Sequence, residues 1–252
     1  MTSGARGRVL PPLVAFVAFL ATWQAIVWIG DYPPFILPGP LLVAERFVTG
    51  WVDGTFWPHL VTTLEEIVVG FTAGAAAALP TGYILARSRL ADRVLSPYLV
   101  AAQAVPILAL APLIALWFGT GLLARWIVVA LVVFFPVPIS VMVAIRGIDR
   151  RLLEMARSYR VTRRQRILLV EIPAALPGIV GGLRIGITLA VVGAIVAEWT
   201  GGEQGLGVLI NLARGSLFDI PLLFATLTVI ALLGIALYAS VLLVERHVAA
   251  RT

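Results

Sequence analysis

Six runs of about 20 mainly apolar residues, each long enough to cross a hydrocarbon layer about 30 Å thick, divide this 252-residue chain into spans joined by arginine-bearing loops. Inside lipid the backbone has no water to bond, so the amides and carbonyls of such a run must pair within it. The chain is therefore predicted to be an all-α polytopic membrane protein with six transmembrane helices. Charged residues make up 13% of the chain, about half the share of an ordinary soluble domain. The spans take up about half the length, which leaves no room for a separate soluble domain, so residues 1–252 are read as a single transmembrane domain.

The first span is read over 9–29. Arg6 and Arg8 before it give the outline of a signal peptide, but the apolar run is long and ends in Trp28-Ile29 with no small-residue cleavage site. It is read as an uncleaved helix. The segment DYPPFILPGPLL then breaks any helix, and an amphipathic stretch over 42–57 places Trp51 and Trp57 at an interface. Further spans are read over 62–86, 98–118, 123–145, 175–197 and 221–244. Pro106, Pro112, Pro136 and Pro138 lie inside two of them, and such kinks persist in lipid only where neighbours satisfy the freed carbonyls.

Basic residues set the orientation. With the N-terminus inside, fifteen of the 19 basic residues, all arginines, fall on the inner side, while Arg46, Arg125 and Arg214 fall outside and Arg184 within a span. Both termini are thus expected in the cytoplasm of a bacterial inner membrane. The formal charge of +6 lies in short loops between spans and not along a soluble face, which argues against nucleic acid as a partner. There is no cysteine, so neither disulfides nor thiolate metal sites are available.

The inner loop over about 147–174 is far longer than a connection between neighbouring helices requires. Residues 151–158 and 162–170 both read as helix. Arg163, Arg164 and Arg166 suit anionic headgroups or an acidic protein groove, or simply form a solvated positive-inside loop. Two glycine ridges stand out, Gly178, Gly182 and Gly186 in the fifth span and Gly70, Gly74, Ala78 and Gly82 in the second, as surfaces for close helix approach.

Polar groups within spans are functional candidates. Gln103 beside Pro106 is the foremost choice for a pore-facing residue. Arg184 is read as lining a cavity or snorkelling to the inner boundary. Glu198 with Trp199 marks the outer end of the fifth span, either as part of a gate or as an interfacial carboxylate in water. Glu65 and Glu66 meet a solute, pair with a base, or cap the second span. The glycine-rich segment 200–207 is expected to turn at or into the membrane, and 208–213 is too short to span.

These elements fall in a familiar order. Leu37-Pro38-Gly39-Pro40, Trp57-Pro58-His59-Leu60, Trp117-Phe118-Gly119, the loop EMARSYRVTRRQRILLVEIP, Pro173 to Gly178, Gly-Leu-Arg184 and Ala197-Glu198-Trp199 together resemble the nitrate, sulfonate and taurine type permeases of ATP-binding-cassette importers. The resemblance implies the type I importer permease fold, a second permease subunit that is either another copy of this chain or a different one, two cytoplasmic ATPases and an extracytoplasmic solute-binding protein. It makes the inner loop the element that seats in each ATPase, with Glu154, Met155 and Ala156 at its head and Ile172-Pro173 at its close. No G-x-x-x-x-G-K-[ST] phosphate loop occurs, so ATP and Mg²⁺ are assigned to the partner ATPase and no cofactor to this chain.

Two departures stand out. Met155 replaces the usual second Ala, and Arg160 takes the place of a Gly between two short helices. Gly would permit a positive φ that Arg tolerates poorly, so either the turn differs or Val161-Thr162 absorbs the bend. The residues Gln103 to Ile107, Ala111 to Leu113 and Thr63 to Glu66 are similar to permeases for pyrimidine precursors of thiamine, while the wider family carries sulfonates, taurine and nitrate. The rival reading is a self-contained secondary transporter, for which matching broken helices in two halves are expected and not found. An intramembrane catalytic cluster is also lacking in the sequence.

Overall fold

A computed structural model describes residues 3–249; Arg251 and the side chains of 3–10, 107, 108, 244 and 246–249, among them Arg6, Arg8, Arg246 and His247, lie outside the description. All regular structure among the described residues is helical. In order the helices are α1 (Ser3–Ile29), α2 (Pro40–Val52), α3 (Phe56–Arg87), α4 (Arg89–Ala104), α5 (Ile107–Phe118) and α6 (Leu122–Phe134). There follow α7 (Pro136–Arg146), α8 (Arg150–Ser158), α9 (Arg163–Arg166), a π-helical turn (Ile167–Glu171), α10 (Ile172–Trp199), α11 (Leu206–Arg214) and α12 (Ile220–Ala249).

Among the described residues five stretches are long and apolar enough to cross a membrane: Pro11–Ile29, Phe56–Arg87, Leu122–Arg146, Arg163–Trp199 and Ile220–Leu243. The expected span over 98–118 is not one continuous helix. It is the end of α4 and all of α5, meeting at a bend of 102°, and it makes a sixth crossing only if the bent pair is taken together. Pro106 causes the break, because its ring pushes the preceding residue out of the helical region. Val105 accordingly sits at φ −75°, ψ 123°. Pro136 acts differently: as the first residue of α7 it has no amide to waste, Phe135 before it stays helical at φ −66°, ψ −43°, and α6 with α7 remains one span.

The second span starts earlier than its apolar pattern suggests, at Phe56. The corner before it is made by Asp53, whose Oδ1 accepts from the Thr55 amide at 2.9 Å and the Thr55 hydroxyl at 2.6 Å. Those two bonds hold the Asp53 carboxyl below the ordinary carboxylate value.

The chain falls into two compact units. One holds 1–58 and 209–229. In it Trp23 stacks against Phe224 at 5.6 Å between ring centroids, Trp51 packs on the fully buried Phe56 at 5.4 Å, and Arg46 bonds Asp219 at 2.7 Å. The other holds 59–208 and 230–252. Its core is built from Ile67 and Ala78 of α3, Val129 and Val133 of α6, Val137, Val141 and Ile145 of α7, and Ala175, Ile187, Ala190 and Ala194 of α10.

Both glycine ridges serve that core. On α3, a β-carbon at Gly82 would stand 2.6 Å from the Pro138 carbonyl oxygen; on α10, one at Gly182 would stand 2.6 Å from Ser140 Cβ. The span formed by α6 and α7 is thus approached by the glycine faces of two different helices at backbone distance. Small residues permit this approach, and in lipid, where no hydrophobic drive operates between helices, close packing supplies much of the association.

Overpacking a tight interface of this kind costs about 1–3 kcal/mol. Gly182→Val is therefore expected to lower the thermal midpoint of the purified protein in detergent. Gly181→Ala, at a neighbouring glycine with nothing within 4 Å of the added carbon, should leave the midpoint within error; equal effects would mean that the ridge is not a packing surface.

Candidate functional site

Two constellations of polar groups sit near the two ends of α3, both within the larger unit. About 20 residues separate them, or roughly 30 Å along the helix.

The first gathers at the end that runs into Arg87. Asp149 caps α8 by accepting from the Arg151 amide at 2.8 Å. Ala156 is buried, and Leu152 and Leu153 pack against the core. Glu154 faces solvent, with Met155 50% and Tyr159 77% exposed. The helix is thus fastened by one face and presents the other.

Arg160 ends α8 with φ +49°. The Arg160 amide donates to the Arg157 carbonyl at 3.0 Å and the Val161 amide to the Ala156 carbonyl at 3.4 Å, the paired bonds of a Schellman turn whose left-handed residue is usually Gly. This corrects the sequence expectation. The turn keeps its shape and Val161-Thr162 does not absorb the bend; Arg160 itself adopts the strained conformation, which for an L-residue costs roughly 1–2 kcal/mol.

Beyond the turn, Thr162 and Gln165 form a capping box, with Gln165 N donating to Thr162 Oγ1 at 3.3 Å and Thr162 N to Gln165 Oε1 at 2.9 Å. The π-turn then hands over to α10. Pro173 has no N–H for the Leu169 carbonyl, and the ladder widens just before it, so that the Ile172 amide reaches back five residues to Ile167.

The π-turn ends on Glu171, which has no exposure at all. Its Oε1 takes Arg87 at 2.6 Å and Arg166 at 3.0 Å, and its Oε2 accepts from the Tyr83 hydroxyl at 2.9 Å. This carboxylate ties the loop to the end of α3. Ile172 is 37% exposed, and Pro173 is half-buried.

The second constellation lies near the start of α3. Glu66 is fully buried and bonds Arg125 of α6 at 2.6 Å; Arg125 is itself only 5% exposed. The same guanidinium donates to the Gly201 carbonyl at 2.8 Å and the Gln204 carbonyl at 3.0 Å. Glu198 is 1% exposed; it accepts from the Thr63 hydroxyl and from the Gly207 amide, each at 2.5 Å. Thr63 also accepts from the Leu206 amide at 2.8 Å, and the His59 ring bonds backbone of Gly205.

The segment 200–207 is therefore clamped from three helices. Gly201, Gly202 and Gly205 in it have φ between +134° and +144°, a region closed to other residues. The reading of Glu198 as a carboxylate in water is thus overturned: its burial is complete and its partners are protein. Trp199 beside it stays 48% exposed. Of the pair Glu65 and Glu66, the first is exposed and the second takes the base.

The remaining candidates are brought to neither constellation. Gln103 donates its side-chain amide to the Phe135 carbonyl at 3.3 Å, at the junction of α6 and α7. Arg184 pairs with Glu245 and lies 5.9 Å from the centre of the Tyr238 ring.

The fold and these two fastened ends define a helical membrane permease with one built loop at each end of its core. Residues 78–252 match the family described as "Binding-protein-dependent transport system inner membrane component", and the chain belongs to it. It is the multi-pass permease subunit of an ATP-binding-cassette importer, a transport component and not an enzyme. Among its relatives, the riboflavin transport system permease protein RibX of Chloroflexus aurantiacus is 47% identical over 92% of this chain and 87% of its own. The formylaminopyrimidine transport permease protein ThiX of Halalkalibacterium halodurans is 31% identical over 93% of this chain and 92% of its own. The fold matches a chain from inward-facing structures of the MetNI methionine ABC transporter, with a TM-score of 0.68 and 22% identity over 77% of this chain and 98% of that one. The type I importer fold expected from the motifs is thus the one observed.

Arg125→Ala leaves Glu66 buried without its cation, a change that costs about 3–5 kcal/mol where a buried pair is broken. The variant is expected to unfold at markedly lower temperature, and the double variant Glu66→Gln/Arg125→Met to recover part of the loss; no recovery would mean that the pairing itself is not what is missed. Arg160→Gly relieves the left-handed strain and should stabilise the loop by about 1 kcal/mol, read as a raised thermal midpoint. An unchanged or lower midpoint would assign Arg160 a compensating contact.

Proposed function

We propose that this chain forms a permease dimer with a second copy of itself and imports a heterocyclic, vitamin-like solute, with riboflavin or a pyrimidine relative the preferred cargo and sulfonate or taurine type anions the alternative. The observation that carries the cargo is the 47% identity to a riboflavin permease over nearly the full length of both chains. The 31% identity to a formylaminopyrimidine permease points to the same chemistry, a flat nitrogen heterocycle.

In this reading an extracytoplasmic binding protein delivers the solute, and two ATPases on the cytoplasmic side, each holding ATP and Mg²⁺, drive the cycle. Both termini then face the cytoplasm, as the arginine distribution suggests, and residues 1–252 act as one permease domain. The loop from Glu154 to Pro173 seats in the ATPase. Its outer face offers Glu154 as a charge and Met155 and Tyr159 as apolar anchors, while Arg160 sets the angle between its two short helices. Ala156, with Leu152 and Leu153, fastens the opposite face to the core, and Ile172-Pro173 close the loop at the start of α10, so that a push on α8 passes through Glu171 into Arg87 of α3 and directly into α10. A lever works only if its anchored end is stiff, and the buried carboxylate with three partners supplies that stiffness.

At the other end Glu198 holds the 200–207 segment shut on the solute path, with Trp199 at the rim. Gln103 and Arg184, both already bonded, would reach solute only in a conformation that releases Phe135 or Glu245.

The test is expression of the chain with its genomic neighbours and purification of the complex. An ATPase and a binding protein are expected with it, and the ligand carried by the binding protein should be a flavin or pyrimidine; a sulfonate or taurine on it would transfer the cargo to the alternative. Glu154→Arg is expected to abolish ATPase recovery and uptake while membrane levels of the permease stay unchanged, because Glu154 points away from the core. Normal recovery of the ATPase would remove α8 from the docking surface.

A further inference from the structure

Between α3, α4 and α7 lies a cavity of about 370 Å³ lined by Ala86, Arg89, Asp92, Arg93 and Arg146. Three of its five lining residues are arginines, and the single carboxylate is already neutralised. Asp92 Oδ2 takes Arg146 at 2.8 Å, and Asp92 Oδ1 accepts from the Ser96 hydroxyl at 2.6 Å. Arg146 is further held by the Leu85 carbonyl at 2.8 Å. Arg89 and Arg93, by contrast, have no carboxylate partner among the described residues. Standing one turn apart on α4, they leave the cavity with two uncompensated guanidinium groups, whose flat forks suit the oxygens of a phosphate.

The position of the cavity supplies its occupant. Two stretches long and apolar enough to cross a membrane, Phe56–Arg87 and Leu122–Arg146, end at its wall, which puts it at the end of the spans, on the side where lipid headgroups are within reach. On α4, beside the two arginines, Leu90, Val94 and Tyr98 follow at four-residue spacing and are 73%, 49% and 72% exposed. Residues at that spacing share one face of a helix, which gives a phosphate-binding row and an apolar row side by side. Ser88 caps α4, its hydroxyl oxygen accepting from the Ala91 amide, so the positive end of the helix dipole also faces this region.

We propose that Arg89 and Arg93 bind the phosphate of an anionic phospholipid, whose acyl chain lies along Leu90, Val94 and Tyr98. Arg146 is a positioning residue: by engaging Asp92 it keeps the cavity's one carboxylate away from the bound phosphate. The site is independent of the ATPase-docking loop, and it does not depend on which solute is carried.

The experiment is native mass spectrometry of the full-length chain, released from a zwitterionic detergent with equal amounts of phosphatidylglycerol and phosphatidylcholine of matched acyl length. Each basic group near a membrane surface contributes on the order of fivefold to anionic lipid binding, so phosphatidylglycerol adducts are expected to exceed phosphatidylcholine adducts by roughly tenfold or more. Arg89→Ala/Arg93→Ala should bring the ratio close to one, while Arg89→Lys/Arg93→Lys, which keeps both charges and loses the planar forks, should retain part of it. Millimolar inorganic phosphate should not displace the lipid. A ratio near one in the unaltered protein, a ratio unaffected by the double alanine variant, or full displacement by phosphate alone would each overturn the proposal, the last by making the site one for a free anion.

Discussion

Hydrocarbon offers a polar group nothing to bond, and the internal organisation of this permease follows from how each group that enters the spans is satisfied by another part of the same chain. Glu66 and Arg125 neutralise each other, and the remaining guanidinium capacity of Arg125 goes to two carbonyls of the 200–207 segment. Glu198 accepts from the amide of Gly207 in the same segment. At the other end of α3, Glu171 joins a surface loop to the core for the same reason, because a buried carboxylate must find cations and donors. The two fastened loops are therefore the visible side of a requirement set by the membrane interior.

That requirement also explains the use of proline and glycine. Pro136 at the start of α7 and Pro177 within α10 are tolerated where neighbouring elements lie close, and Gln103 reaches the carbonyl at one of these junctions. The glycine faces of α3 and α10 bring backbone against α6 and α7, so that packing at atomic contact replaces the hydrophobic drive absent in lipid. Among the described residues Pro106 alone breaks its span outright, because Val105 before it leaves the helical region.

Much of this was legible in the sequence. The apolar runs located five of the spans to within a few residues at most ends, and the first helix of the Glu154 loop was legible over 151–158; the second, expected over 162–170, instead runs through the π-turn into α10 as part of one long rod. The bend at Pro106 was not legible, since proline within a transmembrane run is compatible with either a kink or a break, and only the packing of α5 on α6 decides. Arg125 was the largest miss. In sequence it stands two residues inside an apolar run and reads as a loop charge; its role rests on Glu66, 59 positions away, and no local pattern carries a partner at that distance. Glu171 was hidden in the same way, as one acid after ILLV, although a lone acid closing an apolar helical run was a signal that could have been followed. The strain at Arg160 was signalled by the missing glycine, but whether the backbone or the residue would yield was a matter of the two hydrogen bonds that close the turn.

The π-turn before α10 has a geometric consequence. A regular helix advances each side chain by about 100° around its axis, and a turn that closes over five residues in place of four inserts one residue with almost no gain in length. Arg163 to Arg166 and the glycine face of α10 therefore belong to a single rod whose two halves are out of phase by about one residue. The loop's basic face and the packing face of the span are free to point in different directions even though no hinge separates them. Rotation of one half must then be transmitted to the other as torque along a continuous hydrogen-bonded axis.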